Sequence, residues 1–225
     1  MSGHANPSQN PADLGTLAGV LRGAFRKLMQ STDGMLPARV IAADAKREYA
    51  TVQPLVMVQA TDGALTSRPQ IAKVPIFTLG AGGFVMSFPI KAGDLGWIFA
   101  GDRDISLVLQ TDGESGPNTN RLKSFSDGVF IPDAARRWVL SGDDADAAVW
   151  QSNDGAVKIA LSPGKIRVVH PTKVEIVTPT VTMSGNLQVQ GTVTGTTDCV
   201  GGGKSLKDHV HSGVTAGGAN TGKPV

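Results

Sequence analysis

Leu95-Gly96-Trp97-Ile98-Phe99, entered through the turn pair Gly93-Asp94 and left through Gly101-Asp102, is an apolar run too short for a helix and bracketed by turn residues at both ends. It reads as a strand. Working outward, similar short runs recur: Arg39-Val40-Ile41, Thr51-Val52, Lys73-Val74-Pro75-Ile76, Phe84-Val85-Met86-Ser87-Phe88 and Leu107-Val108-Leu109. Asp62-Gly63 and Gly80-Ala81-Gly82-Gly83 supply further turns between them. From about Pro37 to about Pro132 the pattern predicts a small barrel or sandwich of roughly five to seven strands, and an OB-like barrel fits the length. Alternation is read as turning most of Phe84, Phe88, Trp97 and Phe99 inward, as core rather than as a base-stacking platform. Gly80, Gly82 and Gly83 precede a strand rather than a helix, so they read as a turn and not as a phosphate loop.

Composition supports an all-β class. Of 225 residues, 28 are Gly and only 18% are charged, which favours many tight turns between short strands. With 21 Lys and Arg against 19 Asp and Glu, the net charge of +2 supplies no basic stripe, and no nucleic-acid partner is expected. The one cysteine, Cys199, has no internal disulfide partner and reads as a small buried apolar side chain. The start of the chain lacks a basic segment followed by an apolar one, and no window approaches a membrane span, so synthesis in the cytoplasm is expected.

Before the barrel, Leu14, Leu17, Leu21, Phe25 and Leu28 recur at helical spacing between Asp13 and Met29, with Gly34 placed as a stop. This predicts an amphipathic helix whose apolar face packs on its own domain. After the barrel, Asp143, Asp144 and Asp146 read as a solvated boundary. Beyond Val149 come period-2 pairs: Val157, Ile159 and Leu161; Ile166 and Val168; Val174 and Ile176; Val181 and Met183; Leu187 and Val189. Small turns such as Ser162-Pro163-Gly164 and His170-Pro171-Thr172 separate them, the signature of a β-solenoid. One chain of such strands buries too little, whereas three copies around one axis share their Val and Ile faces as a core. The division read from these shifts is 1–34 for helix and arm, 35–142 for the barrel, 143–200 for the shaft and 201–225 for the tip.

The tip is rich in Gly, Ser, Thr and Ala, a composition that normally reads as a disordered tail, yet two of the chain's four histidines, His209 and His211, lie here. His170 precedes a proline in a turn and His4 lies near the N-terminus, so no nucleophile–base pair is visible and no enzymatic activity is expected.

The stretch from Phe88 to Ile105 resembles the OB-domain signature of the membrane-puncturing central spikes of contractile-tailed phages: a proline, then Gly93-Asp94, an apolar strand and the Asp/Arg pair at Asp102-Arg103. Ser126-Asp127-Gly128-Val129-Phe130-Ile131-Pro132 is similar to the sequence that closes that domain. The resemblance extends from about Met35 through the repeats to the tip. It implies a homotrimer in the virion, made in the host cytoplasm, with a barrel collar attached to a baseplate hub protein. It further implies an intertwined triple-stranded β-helix and a metal-capped tip that pierces the bacterial outer membrane. His209 and His211 match its metal motif, with iron as the expected ion and Asp208 as a partner orienting an imidazole. The alternatives are a trimeric receptor-binding tail fibre or adhesin, and a lytic enzyme carried on the tail.

Overall fold

A computed structural model of the chain describes residues 15–30, 32–60, 63–213 and 217–218. Its elements run α1 (Leu17–Gln30), β1 (Met35–Ala43), β2 (Tyr49–Pro54), β3 (Val58–Gln59), β4 (Leu65–Thr66), β5 (Ile71–Pro75), β6 (Leu79–Ala81), β7 (Phe84–Met86) and β8 (Leu95–Gly101). These are followed by α2 (Ser106–Thr111), β9 (Ser124–Pro132), β10 (Ala148–Gln151), β11 (Lys158–Ser162), β12 (Lys165–Val169), β13 (Val200–Gly201) and β14 (Lys204–Ser205). The chain parses into two compact units, residues 1–174 and 175–225.

In the first unit five antiparallel strands follow the order β5-β2-β1-β8-β9. The sheet nearly closes on itself, because Ile76 bridges Phe130 in parallel and the Phe77 amide donates to the Phe130 carbonyl at 2.8 Å. Closure matters because an open edge exposes unpaired amides and carbonyls. Ala38, Val40, Ala50, Val52, Val74, Ile76, Ile98, Phe125 and Phe130 fill the interior. The phase of β8 is the reverse of the sequence reading: Gly96 and Ile98 are buried, while Trp97 and Phe99 are half-buried and Phe84 is 85% exposed. One residue of phase moves a whole strand from one face to the other, and volume decides the phase here. A Cβ on Gly96 would lie 2.5 Å from Cζ of Phe130, so only glycine at this point leaves room for the ring that plugs the barrel.

Leu107-Val108-Leu109, expected as a strand, forms α2 instead. The cause is Asp104, whose side chain accepts the Ser106 amide at 2.9 Å and the Thr119 hydroxyl at 2.6 Å, a local capture that starts a turn rather than a strand. Arg121 then grips Asp127 with two hydrogen bonds of 3.0 and 2.8 Å and reaches Asp104 at 3.1 Å. Ser106 first, and Thr119 and Arg121 after it, hold the Asp104 carboxyl well below the usual carboxylate range.

Past the barrel, β10, β11 and β12 form an antiparallel sheet. The acidic cluster before it is not the solvated linker that was expected. Gly142–Asp144 is a 3-10 turn, and Asp144 is 1% exposed, bonded to Lys158 Nζ at 2.5 Å and to Arg167 at 3.1 Å. The Lys158 bond lowers its pKa most, then the charges of Lys158 and Arg167. A carboxylate with two cationic partners is stable out of water where three clustered aspartates alone are not.

One other expectation changes. Helix α1 begins at Leu17, Asp13 and Leu14 lying outside the described residues, and its stripe does not pack on the barrel: Leu17, Leu21, Phe25 and Leu28 are all exposed. Between His170 and Cys199 the single chain forms no strand, the β-helix expected there being one that several chains make together.

Phe130→Ala is expected to lose about 3–5 kcal/mol of unfolding free energy in denaturant titrations, as for other buried aromatics, and a loss under about 1 kcal/mol would contradict this account of the core. Asp104 and Asp144 both have lowered pKa values, so their stabilisation is full above the ordinary value of 3.8 and is lost as pH falls toward the folded values. The denaturation midpoint should be steady from about pH 7 to about pH 5 and should fall below about pH 4. A midpoint that rises on acidification would contradict the role given to the two carboxylates.

Candidate metal centre at the C-terminal tip

In the second unit a glycine run makes the local structure. Val200 pairs Ser205 and Gly201 pairs Lys204, and Gly202 and Gly203 between them take positive φ of 55° and 77°, the conformation a tight hairpin turn asks for. The Leu206 amide closes the hairpin on the Cys199 carbonyl at 2.8 Å. Asp198 ties the base of this loop, its carboxylate accepting the amides of Cys199 at 2.8 Å and Lys207 at 3.2 Å. A hydrogen bond from the Ser205 hydroxyl, then those amides, lower its pKa. The Ser205 hydroxyl oxygen in turn accepts the amides of Lys207 and Asp208 at 3.1 and 2.9 Å.

The hairpin delivers the two histidines. The imidazoles of His209 and His211 lie with ring centroids 5.1 Å apart, edge to face, while Val210 between them is 92% exposed. Nδ1 of His209 sits 3.1 Å from the Leu206 carbonyl. A carbonyl only accepts, so the proton is on Nδ1 and the lone pair of Nε2 is left for a ligand-binding role. For His209 the orienting partner at Nδ1 is this backbone carbonyl. Among the described residues no group of three or more His, Cys, Asp or Glu gathers into a metal-holding cluster. Two neighbouring imidazoles are two of the ligands that a metal ion takes.

Asp198 and Ser205 escaped the sequence reading. The signal was present in Gly201-Gly202-Gly203 between Val200 and Lys204, a hairpin mark hidden by a composition that reads as a disordered tail. Cys199 is half-buried and unpaired.

A nearly closed barrel in the N-terminal half and a histidine-bearing hairpin near the C-terminal end define a modular, mostly β protein. Comparison makes the class specific. Residues 36–133, the barrel from Leu36 to Asp133, match the family described as the phage protein Gp138 N-terminal domain. Residues 205–225 match the GpV apex motif, which takes in His209, His211 and the Gly-rich sequence that follows them. A search of curated proteins returned no match. Both matched domains are markers of phage baseplate spikes, and carrying them marks the chain as a phage tail component.

Nitrogen-15 spectra at neutral pH should find the neutral His209 ring protonated at Nδ1. A ring protonated at Nε2 would contradict the assigned role of the Leu206 carbonyl.

Proposed function

We propose that the protein is the non-enzymatic central spike of a contractile tail, working as a homotrimer. The observation that carries this reading lies between His170 and Cys199. There Val174, Ile176, Val177, Val181, Met183, Leu187, Val189 and Val193 stand exposed on a chain without strand pairing. Eight such side chains, each gaining about 1.5–3 kcal/mol on burial, leave on the order of 10–20 kcal/mol per chain to be realised by association. Three chains wound about one axis as a β-helix would cover them, and interlocked strands resist unfolding because none opens alone. That resistance is what a mechanical part needs.

In this reading the OB-like barrel is the collar bound to the baseplate hub, and the tip meets the bacterial outer membrane when the sheath contracts. The chain is made in the host cytoplasm and carried in the virion. His209 and His211 of three chains would hold a structural iron ion on the axis. About six imidazole nitrogens suit iron better than tetrahedral zinc. The ion would supply cross-links between chains at an apex with little apolar core of its own.

Native mass spectrometry with elemental analysis of the full chain tests the assembly. The expected result is three chains with one iron, and three chains without metal in the His209→Ala, His211→Ala double variant. Monomers would overturn the spike reading, while equal, negligible metal in both proteins would overturn the iron site. Function is tested on phage particles carrying that double variant. They should adsorb and contract as usual but release less periplasmic marker from the host. Lost adsorption would point to a receptor-binding fibre instead.

A further inference from the structure

Where the sheet of β10, β11 and β12 meets the barrel there is a cleft of about 620 Å³. Three segments line it: the loop that leads into β8, the end of β9 with the chain after it, and the end of β10 with the turn beyond. Its size is that of a small-ligand site. The lining has two textures. Phe88, Pro89, Leu95 and Pro132 make an apolar part, with Phe88 47% exposed, while Lys91, Asp94, Asp133, Arg137, Gln151 and Asn153 supply donors and acceptors. The two cations and the two carboxylates cancel, so the cleft carries no net charge.

The backbone beside the cleft is strained. Ala135 and Arg136, neither of them glycine, follow one another at φ of 50° and 60°. Left-handed conformations are costly in residues with a Cβ, and they gather where a chain must present groups to a ligand. Asp133 holds this turn, its carboxylate accepting the Ala135 amide at 2.8 Å and the Trp97 indole N–H at 2.9 Å. The chain leaving the turn puts Arg137 in the lining with Asp133. On β10, Gln151 donates through Nε2 to the Val139 carbonyl at 2.5 Å, and its Oε1 is left out of water with no hydrogen bond. A buried acceptor without a match calls for a donor from elsewhere.

We infer that this cleft binds a neutral oligosaccharide, one sugar ring lying on Phe88 and its hydroxyls meeting the polar side chains. A pyranose has a flat face of C–H groups and an edge of hydroxyls, each of which both donates and accepts. That pattern matches a lining of one aromatic ring and two prolines beside polar groups of both kinds and no net charge. An anion would meet Asp94 and Asp133, and a cation would meet Lys91 and Arg137. A protein partner spreads its contact over ~800 Å² a side, whereas here the polar groups are gathered in one concave site of small-ligand size. A tail component meets such sugars both in lipopolysaccharide and in the glycan of the cell wall, and the chemistry is common to the two. The inference depends neither on the homotrimer nor on the puncturing role proposed above.

Full-length protein is titrated by saturation-transfer NMR with two probes. One is a neutral oligosaccharide released from host lipopolysaccharide, and the other is a trisaccharide of N-acetylglucosamine standing for cell-wall glycan. Saturable binding of at least one is expected, and the probe that binds names the source. Phe88→Ala and Asn153→Ala should each raise the dissociation constant about tenfold or more, as for loss of an anchoring contact. Asn153 is exposed, so its variant keeps the test valid even where Phe88→Ala disturbs the barrel. Phe84→Ala, 85% exposed and outside the cleft, should bind as the unaltered protein does. No saturable binding of either probe up to about 10 mM, or binding that Phe88→Ala and Asn153→Ala leave unchanged, would overturn the site. Cleft resonances that shift with the hub protein and with neither sugar would overturn it in favour of a protein contact.

Discussion

Apolar surface left in water sets what this chain has to do. The barrel answers the problem within itself: β5, β2, β1, β8 and β9 nearly close, and Phe130 fills the centre because Gly96 has no side chain to oppose it. The rest of the chain does not answer it alone. The outer face of β10, β11 and β12, and the strandless run after it, show Val, Ile and Leu side chains to solvent. A chain that buries its barrel and leaves these faces open fits the assembly proposed for it.

Charge has the complementary task of fixing the connections. Arg121 joins Asp104 and Asp127 across the loop that follows β8, and Lys158 with Arg167 receives Asp144 beneath the small sheet. In each case a carboxylate out of water is satisfied by partners from another segment, so the loops are held without a large core. By satisfying its charges inward, the small sheet leaves its apolar face outward. At the tip the same economy recurs, with Asp198 and Ser205 collecting backbone amides in a segment that has no core.

Much of this was legible in the sequence, and the misreadings have physical causes. The strand at Leu95 to Gly101 announced itself by the turns on either side, and Ser162-Pro163-Gly164 marks the turn between β11 and β12. The facing of β8 was misread because alternation gives the period but not the phase, and the phase followed from the space around Phe130. Residues 107–109 look like a strand by composition, and a hydrogen bond from the Ser106 amide to Asp104 makes them helical. Asp144 looked solvated because its partners lie 14 and 23 residues away, beyond any local pattern. His209 and His211 were legible as a pair, whereas the carbonyl that orients His209 belongs to a turn that Gly-rich sequence concealed.

The account turns on whether the run after β12 becomes ordered strand once copies of the chain assemble. Amide hydrogen exchange across residues 174–193 in the full-length protein measures this directly. The account predicts slow exchange through that segment, comparable to the barrel strands β1 and β8. Exchange at the rate of an unstructured chain while the barrel stays protected would contradict it.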